Sequence, residues 1–220
     1  TDQTGNIDPR TYGSNDISDP QVVGGSINLI LGQLAAAGAK GVIANIPDVT
    51  KIPFFTTVPF APLSPEDPDF GPLIPVLNER VFAAVNQAFA FLGVPERSIV
   101  FNTDAASALV IKDENLADLS AQITQVLIAS GQVDALTATL LGNLYGQARQ
   151  ANADDLILFS SQTVLGEVNQ KAFQDLVDLG VPAATAGQLS VNGITYPLED
   201  QWVLTPEEQQ AVITATTAYN

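Results

Sequence analysis

Apolar positions along this chain alternate between helical spacing and short uninterrupted runs. Behind Asp19-Pro20, an N-cap followed by a first-turn proline, Val23, Ile27, Ile30, Leu31 and Leu34 fall on one helical face, and Gly38 closes the helix. Val42 to Ile46 then form an apolar stretch between Gly41 and Pro47, the pattern of a strand covered on both faces. Helix, tight turn and buried strand make half of a parallel βαβ unit, which predicts a doubly wound α/β fold. The same reading places a helix at roughly Leu73 to Leu92, with Val76, Val81, Val85 and Phe89 among its apolar positions. Short strands follow at Ile99 to Phe101 and Ala108 to Ile111. A helical hairpin is expected over Leu116 to about Ala129 and Val133 to about Arg149, broken at Ser130-Gly131. Leu156 to Phe159 reads as a parallel inner strand, Val168 to Leu179 as a helix, the stretch through Gly193 as a loop and Gln201 to Leu204 as an edge strand. The last helix opens on Thr205-Pro206-Glu207-Glu208, an N-cap, a proline and a capping-box glutamate in register.

Two stretches break the rhythm. Residues 1 to 19 are turn-rich and read as a surface loop. Pro47 to Pro72 contains Pro47, Pro53, Pro59, Pro62, Pro65, Pro68 and Pro72, and is longer than an ordinary connection. It carries Phe54, Phe55 and Phe60. Beyond the carboxyl end of a parallel strand, that aromatic surface lies where open α/β sheets hold ligands, so Phe54, Phe55, Phe60 and the strand-end Asp48 are the candidate substrate-lining residues. The plainer alternative is that the phenylalanines pin the loop to the domain.

Composition narrows the chemistry. With 46% hydrophobic and 15% charged residues the 220-residue chain is expected to be globular, as a single α/β domain. Eight basic residues against 24 acidic ones give a net charge of −16, and the basic positions are scattered, which argues against nucleic acid as a partner. Cysteine and histidine are both absent, removing disulfides, thiolate chemistry, Ser-His dyads and the commonest metal ligand. No apolar run is long enough for a transmembrane helix, and no cofactor or metal is expected. Methionine is also absent, the first residue is Thr1, and the last helix lacks a stop signal; the expectation is an internal fragment whose partner is the remainder of a parent polypeptide.

Four further patterns have a functional and a plain reading. Gly13-Ser14-Asn15-Asp16 spells G-x-N-D, which can hold an oxyanion, but NIDPRTY before it makes no buried strand, so an Asx turn is the simpler account. The carboxylate neighbours Asp113-Glu114, Asp154-Asp155, Glu199-Asp200 and Glu207-Glu208 point to opposite faces of strands or complement helix starts, whereas glycosidase chemistry needs two carboxyl groups converging in one cleft. The prolines among Glu66, Asp67 and Asp69 set a rigid turn rather than a calcium cage. Gly24-Gly25 lies inside a predicted helix and cradles no phosphate.

GAKGVIANIPDVTKIPFFTTVPF, ALVIKDENL, DLILFSSQTVLG and YPLEDQWVLTPEEQQAVITATTAYN together resemble the central portion of the SGNH, or GDSL-type, lipases and esterases of Bacteroidetes cell envelopes. The resemblance implies a flavodoxin-like three-layer fold with a mostly parallel sheet and a helical insertion, an acyl-ester or lipid substrate, and a secreted or outer-membrane location. It also implies a serine in a G-D-S block and a histidine in D-x-x-H. Neither block occurs here, so no catalytic residue is carried over and the chain alone is expected to be inactive. A non-catalytic envelope protein that binds or assembles is the alternative.

Overall fold

The structure, a computed structural model, describes residues 2–220. It corrects the expected fold class. Its only sheets among the described residues are two antiparallel pairs: β1 (Val110–Lys112) with β2 (Ala148–Gln150), and β3 (Leu156–Ile157) with β4 (Val203–Leu204). There is no flavodoxin-like parallel sheet. The rest is dominated by helices: α1 (Pro20–Ala36), α2 (Pro53–Thr56), α3 (Ile74–Val76), α4 (Ala83–Phe91), α5 (Ser120–Ser130), α6 (Ala135–Tyr145), α7 (Gln170–Asp178), α8 (Ala183–Leu189) and α9 (Pro206–Tyr219).

The runs expected at Ala108–Ile111 and Leu156–Phe159 became the short antiparallel strands β1 and β3, but the strand expected at Ile99–Phe101 did not form, for a visible reason. Ile99 and Phe101 are buried and extended, but their partners are side chains. Ile99 N donates to Asn86 Oδ1 at 2.8 Å while Asn86 Nδ2 donates to the Ile99 carbonyl at 2.7 Å. Asn78 treats Phe101 the same way, at 2.9 and 2.8 Å. An amide offers a donor and an acceptor side by side, so it substitutes for one residue of a neighbouring strand. Such a run is satisfied without a sheet, and its periodicity looks like that of a strand. Val42 to Ile46, expected as a buried strand, forms none: Val42 to Asn45 lie exposed and Ile46 is half-buried.

The main core gathers α4, α5 and α6. Its buried stripe runs Ile74, Leu77, Phe82, Val85, Phe89, and the five-residue step in the middle is a π turn over Leu77–Val81, in which Phe82 N donates to the Leu77 carbonyl at 2.9 Å. The extra residue rotates the stripe, so Phe82 and Leu77 point inward while Val76 faces solvent. Phe82 stacks edge-on with Phe101 and Tyr145, at 5.7 and 5.5 Å between centroids. Gly142 lets α5 and α6 touch: a Cβ there would lie 2.1 Å from Thr124 Oγ1 and 2.5 Å from the Ser120 carbonyl. α6 ends at Tyr145 rather than reaching Arg149, and the buried Arg97 binds backbone carbonyls on either side of that end. It donates to Gly146 O at 2.6 Å, Ala117 O at 3.1 Å and Ala148 O at 3.3 Å, with its guanidinium 5.3 Å from the Phe89 centroid.

A second core joins Val58, Leu109, Ile111, Ile157, Leu198 and Val203, where both small sheets meet. Arg149 ties them together. Its Nε donates to Asp113 at 2.7 Å and its two terminal nitrogens grip Asp155 at 2.7 and 2.8 Å. Those two carboxylates hold the guanidinium above its ordinary pKa. α7 and α8, the latter in a stretch expected to be loop, form a third, smaller cluster through Leu176, Val181 and Ala186.

Candidate functional site

The four residues expected to line a substrate site are not brought together. Asp48 is exposed and caps the turn Val49–Lys51, accepting from Thr50 N at 3.0 Å and Thr50 Oγ1 at 2.6 Å. The Thr50 hydroxyl lowers its pKa, as expected for a turn cap. Phe60 is half-buried against the second core, the pinning role that was its alternative. Phe54 and Phe55 share α2, whose start is set by Pro53, and meet edge to face at 5.1 Å. Phe55 is half-buried, whereas Phe54 keeps 40% of its surface and lines a cleft of about 250 Å³.

That cleft is built by the segment around β4. Its apolar wall is Phe54, Leu158, Trp202 and Leu204, and Asn15 and Gln201 join across its mouth by a 3.2 Å hydrogen bond. Asn15 belongs to the G-x-N-D stretch, which is the plain turn: Gly13 N donates to Asp16 Oδ2 at 2.8 Å and Asp16 N to the Gly13 carbonyl at 3.3 Å. Asp200 and Glu208 lie deeper. Asp200 starts the single turn Asp200–Trp202, Thr205 ends the strand as N-cap of α9, and Glu208 is the third helical residue. Glu208 Oε2 accepts from Thr205 N at 3.0 Å and from Thr205 Oγ1 at 3.1 Å. The turn before the strand and the capping box after it fold the two carboxyl groups onto each other.

Glu208 is buried at 7% exposure and its pKa is pushed up, to about 7, first by burial and then by the hydrogen bond with Asp200. Two carboxyl groups that share a hydrogen bond are closer than the separations that glycosidase chemistry uses, and Glu208 is committed to its cap, so this pair does not make a glycosidase centre. Asp200 and Gln201 also border a larger, polar cleft of about 600 Å³ on the other side, where Glu114, Asp118 and Glu199 outnumber Lys112. Among the described residues no group of three or more acidic residues is placed to hold a metal ion. Ser161 and Ser190 have fully buried hydroxyls without a hydrogen-bond partner among the described residues, so neither is hydrogen-bonded to a general base.

Sequence reading named Glu199-Asp200 and Glu207-Glu208 as neighbours, but missed that Asp200 meets Glu208 across the turn and that Trp202 lines one cleft with Phe54. The register of the capping box was the available signal, since it fixes Glu208 beside Thr205 and hence beside the strand that Asp200 precedes. Compared with protein-family models, with curated proteins and with solved structures, the chain matches none. No helix among the described residues is long and apolar enough to cross a membrane.

Proposed function

We propose that this chain supplies the acyl-binding part of a secreted or envelope-anchored ester hydrolase of the SGNH type that its sequence resembles, with serine and histidine contributed by polypeptide outside these 220 residues. The observation that carries the reading is the cleft that Phe54, from the aromatic loop, lines together with Trp202 and Leu204. Aromatic and aliphatic walls favour an acyl chain, and a cleft of about 250 Å³ suits a short one. The lining adds chemistry: Glu208, whose pKa burial pushes up to about 7, is partly protonated at neutral pH and so tolerates an uncharged ester. The reading needs no parallel sheet from this chain. A second reading, a non-catalytic envelope protein that works through assembly, draws on the bare apolar surface of α1.

The test is turnover of p-nitrophenyl esters of graded chain length. The 220-residue chain alone is expected to be inactive, and the assembly purified from its source cells through a tag on this chain active. Phe54→Ala in that assembly should lower kcat/KM for the preferred ester by roughly 10-fold, by removing acyl contact. Turnover by the chain alone through a covalent serine adduct, or an unchanged chain-length profile in Phe54→Ala, would overturn the reading.

A further inference from the structure

The two clefts beside the Asp200–Trp202 turn share a wall, since Asp200 and Gln201 line both. A contact between two acids holds that wall. An ionised carboxylate only accepts hydrogen bonds, so the bond between Asp200 and Glu208 lasts only while one of them carries a proton. The two partners are not equally anchored. Glu208 accepts from Thr205 N and Thr205 Oγ1, and that hydroxyl accepts from Asn115 Nδ2 at 3.2 Å, so the start of α9 fixes its place. Asp200 opens a single turn instead. After it the chain is pinned again, where the Trp202 carbonyl accepts from Leu158 N at 3.0 Å. Gln201, between the two, spends its amide on Glu199 Oε2 at 3.0 Å within the turn and on Asn15 Nδ2 at 3.2 Å across the mouth of the smaller cleft.

Loss of the proton leaves two like charges in contact, and the surroundings do little to offset them. The turn adds Glu199 and α9 adds Glu207, while α1, packed on α9, brings no charged side chain. The Val49–Lys51 turn, also packed on α9, brings Asp48 and Lys51. Asp154 and Asp155 precede β3, with Asp155 held by Arg149. Asp113 and Glu114, beside Asn115, are paired with Arg149 and Lys112, and Asp16 follows Asn15. Of all these, Asp200 is the charge that presses on Glu208. With Glu208 fixed by its cap, the repulsion moves Asp200 and the turn that it opens.

We propose that the Asp200–Glu208 pair is a proton-operated latch: the shared proton holds the Asp200–Trp202 turn down and the Asn15–Gln201 bridge closed across the cleft, and its loss releases both. What the opened cleft admits rests on the reading under Proposed function. The latch rests on the two carboxyl groups and the bridge, and it is read without any ester, so it can fail while that reading stands and hold while that reading falls.

Trp202 is the single tryptophan of the chain and lines the cleft half-buried, so its fluorescence reports the latch directly. The experiment is acrylamide quenching of the isolated chain from about pH 5 to about pH 9, with circular dichroism on the same samples. Acrylamide is uncharged and reads access to the ring rather than the field around it. The quenching constant should rise roughly 2-fold, as a half-buried ring opens to solvent, with the steepness of a single proton and a midpoint near pH 7. Glu208→Gln and Asp200→Asn each replace one acid by an amide that donates to the other, and both should stay at the low value throughout. Glu207→Gln, the exposed neighbour, should keep the transition. Asn15→Ala should show at pH 5 the access that the parent chain reaches only above pH 7. A flat parent profile, a transition that survives in both amide variants, or one that comes with loss of the helical signal overturns the latch, and Asn15→Ala matching the parent at low pH overturns the bridge as its closing contact.

Discussion

α1 and α4 are both apolar helices without a single charged side chain, yet α4 buries Val85, Ala88 and Phe89 completely and α1 buries nothing. Intrinsic pattern does not separate them. What separates them is what stands opposite. α4 faces a wall made of α5, α6 and the extended Ile99–Phe101 run, which Asn86 and Asn78 hold in place. α1 packs its first half on α9, most closely at Gly24, while its outer half and residues 40–45 beyond it stay exposed as an arm, residues 40–45 without a backbone hydrogen bond to any described residue. The two halves start from the same material, an apolar helix followed by an apolar segment, and only the α4 half is covered along its length.

The sharpest way to expose that difference is to truncate an apolar side chain on each side. Phe89→Ala removes a fully buried ring that also lies under the Arg97 guanidinium, and is expected to cost about 3–5 kcal/mol in urea unfolding followed by circular dichroism. Loss of less than about 1 kcal/mol would mean that the α4 side is no better packed than the arm. The amide surrogates supply the second test. Asn86→Leu keeps the volume but strands the N–H and carbonyl of Ile99 in the core, and should cost about 2–3 kcal/mol, while Gln87→Leu, the exposed neighbour, should cost almost nothing.

These surrogates also show how far the sequence was legible. Helices announced by caps and periodicity were readable: Asp19-Pro20 opens α1, Ser130-Gly131 breaks the α5–α6 hairpin with Gly131 in the left-handed region at φ 66°, and Thr205 to Glu208 form the expected capping box. Of the apolar runs expected as strands, those at Ala108–Ile111 and Leu156–Phe159 became short antiparallel strands, Ile99–Phe101 is bonded to asparagine side chains instead, a difference its residue pattern does not show, and Val42–Ile46 pairs with no strand. The π turn at Leu77–Val81 was invisible for a related reason: it shifts the buried stripe by one residue without any proline or glycine to mark it. Of the candidate site, Phe54 was legible as an aromatic on the proline-rich loop. Trp202 and the Asp200–Glu208 meeting were not, since they arise from two turns closing on each other in space.

The pH dependence of stability reports on the joint between the halves, because Glu208 sits in the first turn of α9, on which α1 rests. Its folded pKa of about 7 lies above the ordinary glutamate value of 4.5. A raised acid keeps its proton longer in the folded chain than in the unfolded one. Its contribution is therefore complete below about pH 4.5 and is lost as pH rises toward 7. The expected loss is on the order of 3 kcal/mol. Glu208→Gln keeps an acceptor for Thr205 N and removes the titration, so urea midpoints of the variant should hold nearly level between pH 4.5 and 7 where those of the parent chain fall. An equal slope in both proteins would assign the pH response to other carboxylates.

The smallest expected effect bears most directly on the contrast between α1 and α4. Ile30→Gln places a polar side chain on the outer half of α1, where the isoleucine is already half in water. Isoleucine and glutamine differ little in helix propensity, so the isolated chain should change by less than about 0.5 kcal/mol. Against the 3–5 kcal/mol expected for Phe89→Ala, that near-silence would be the quantitative form of the difference between a helix that has its wall and one that does not. A loss above about 1 kcal/mol would show that the isolated chain buries Ile30 in solution, and the arm would then have to be redrawn as part of the core.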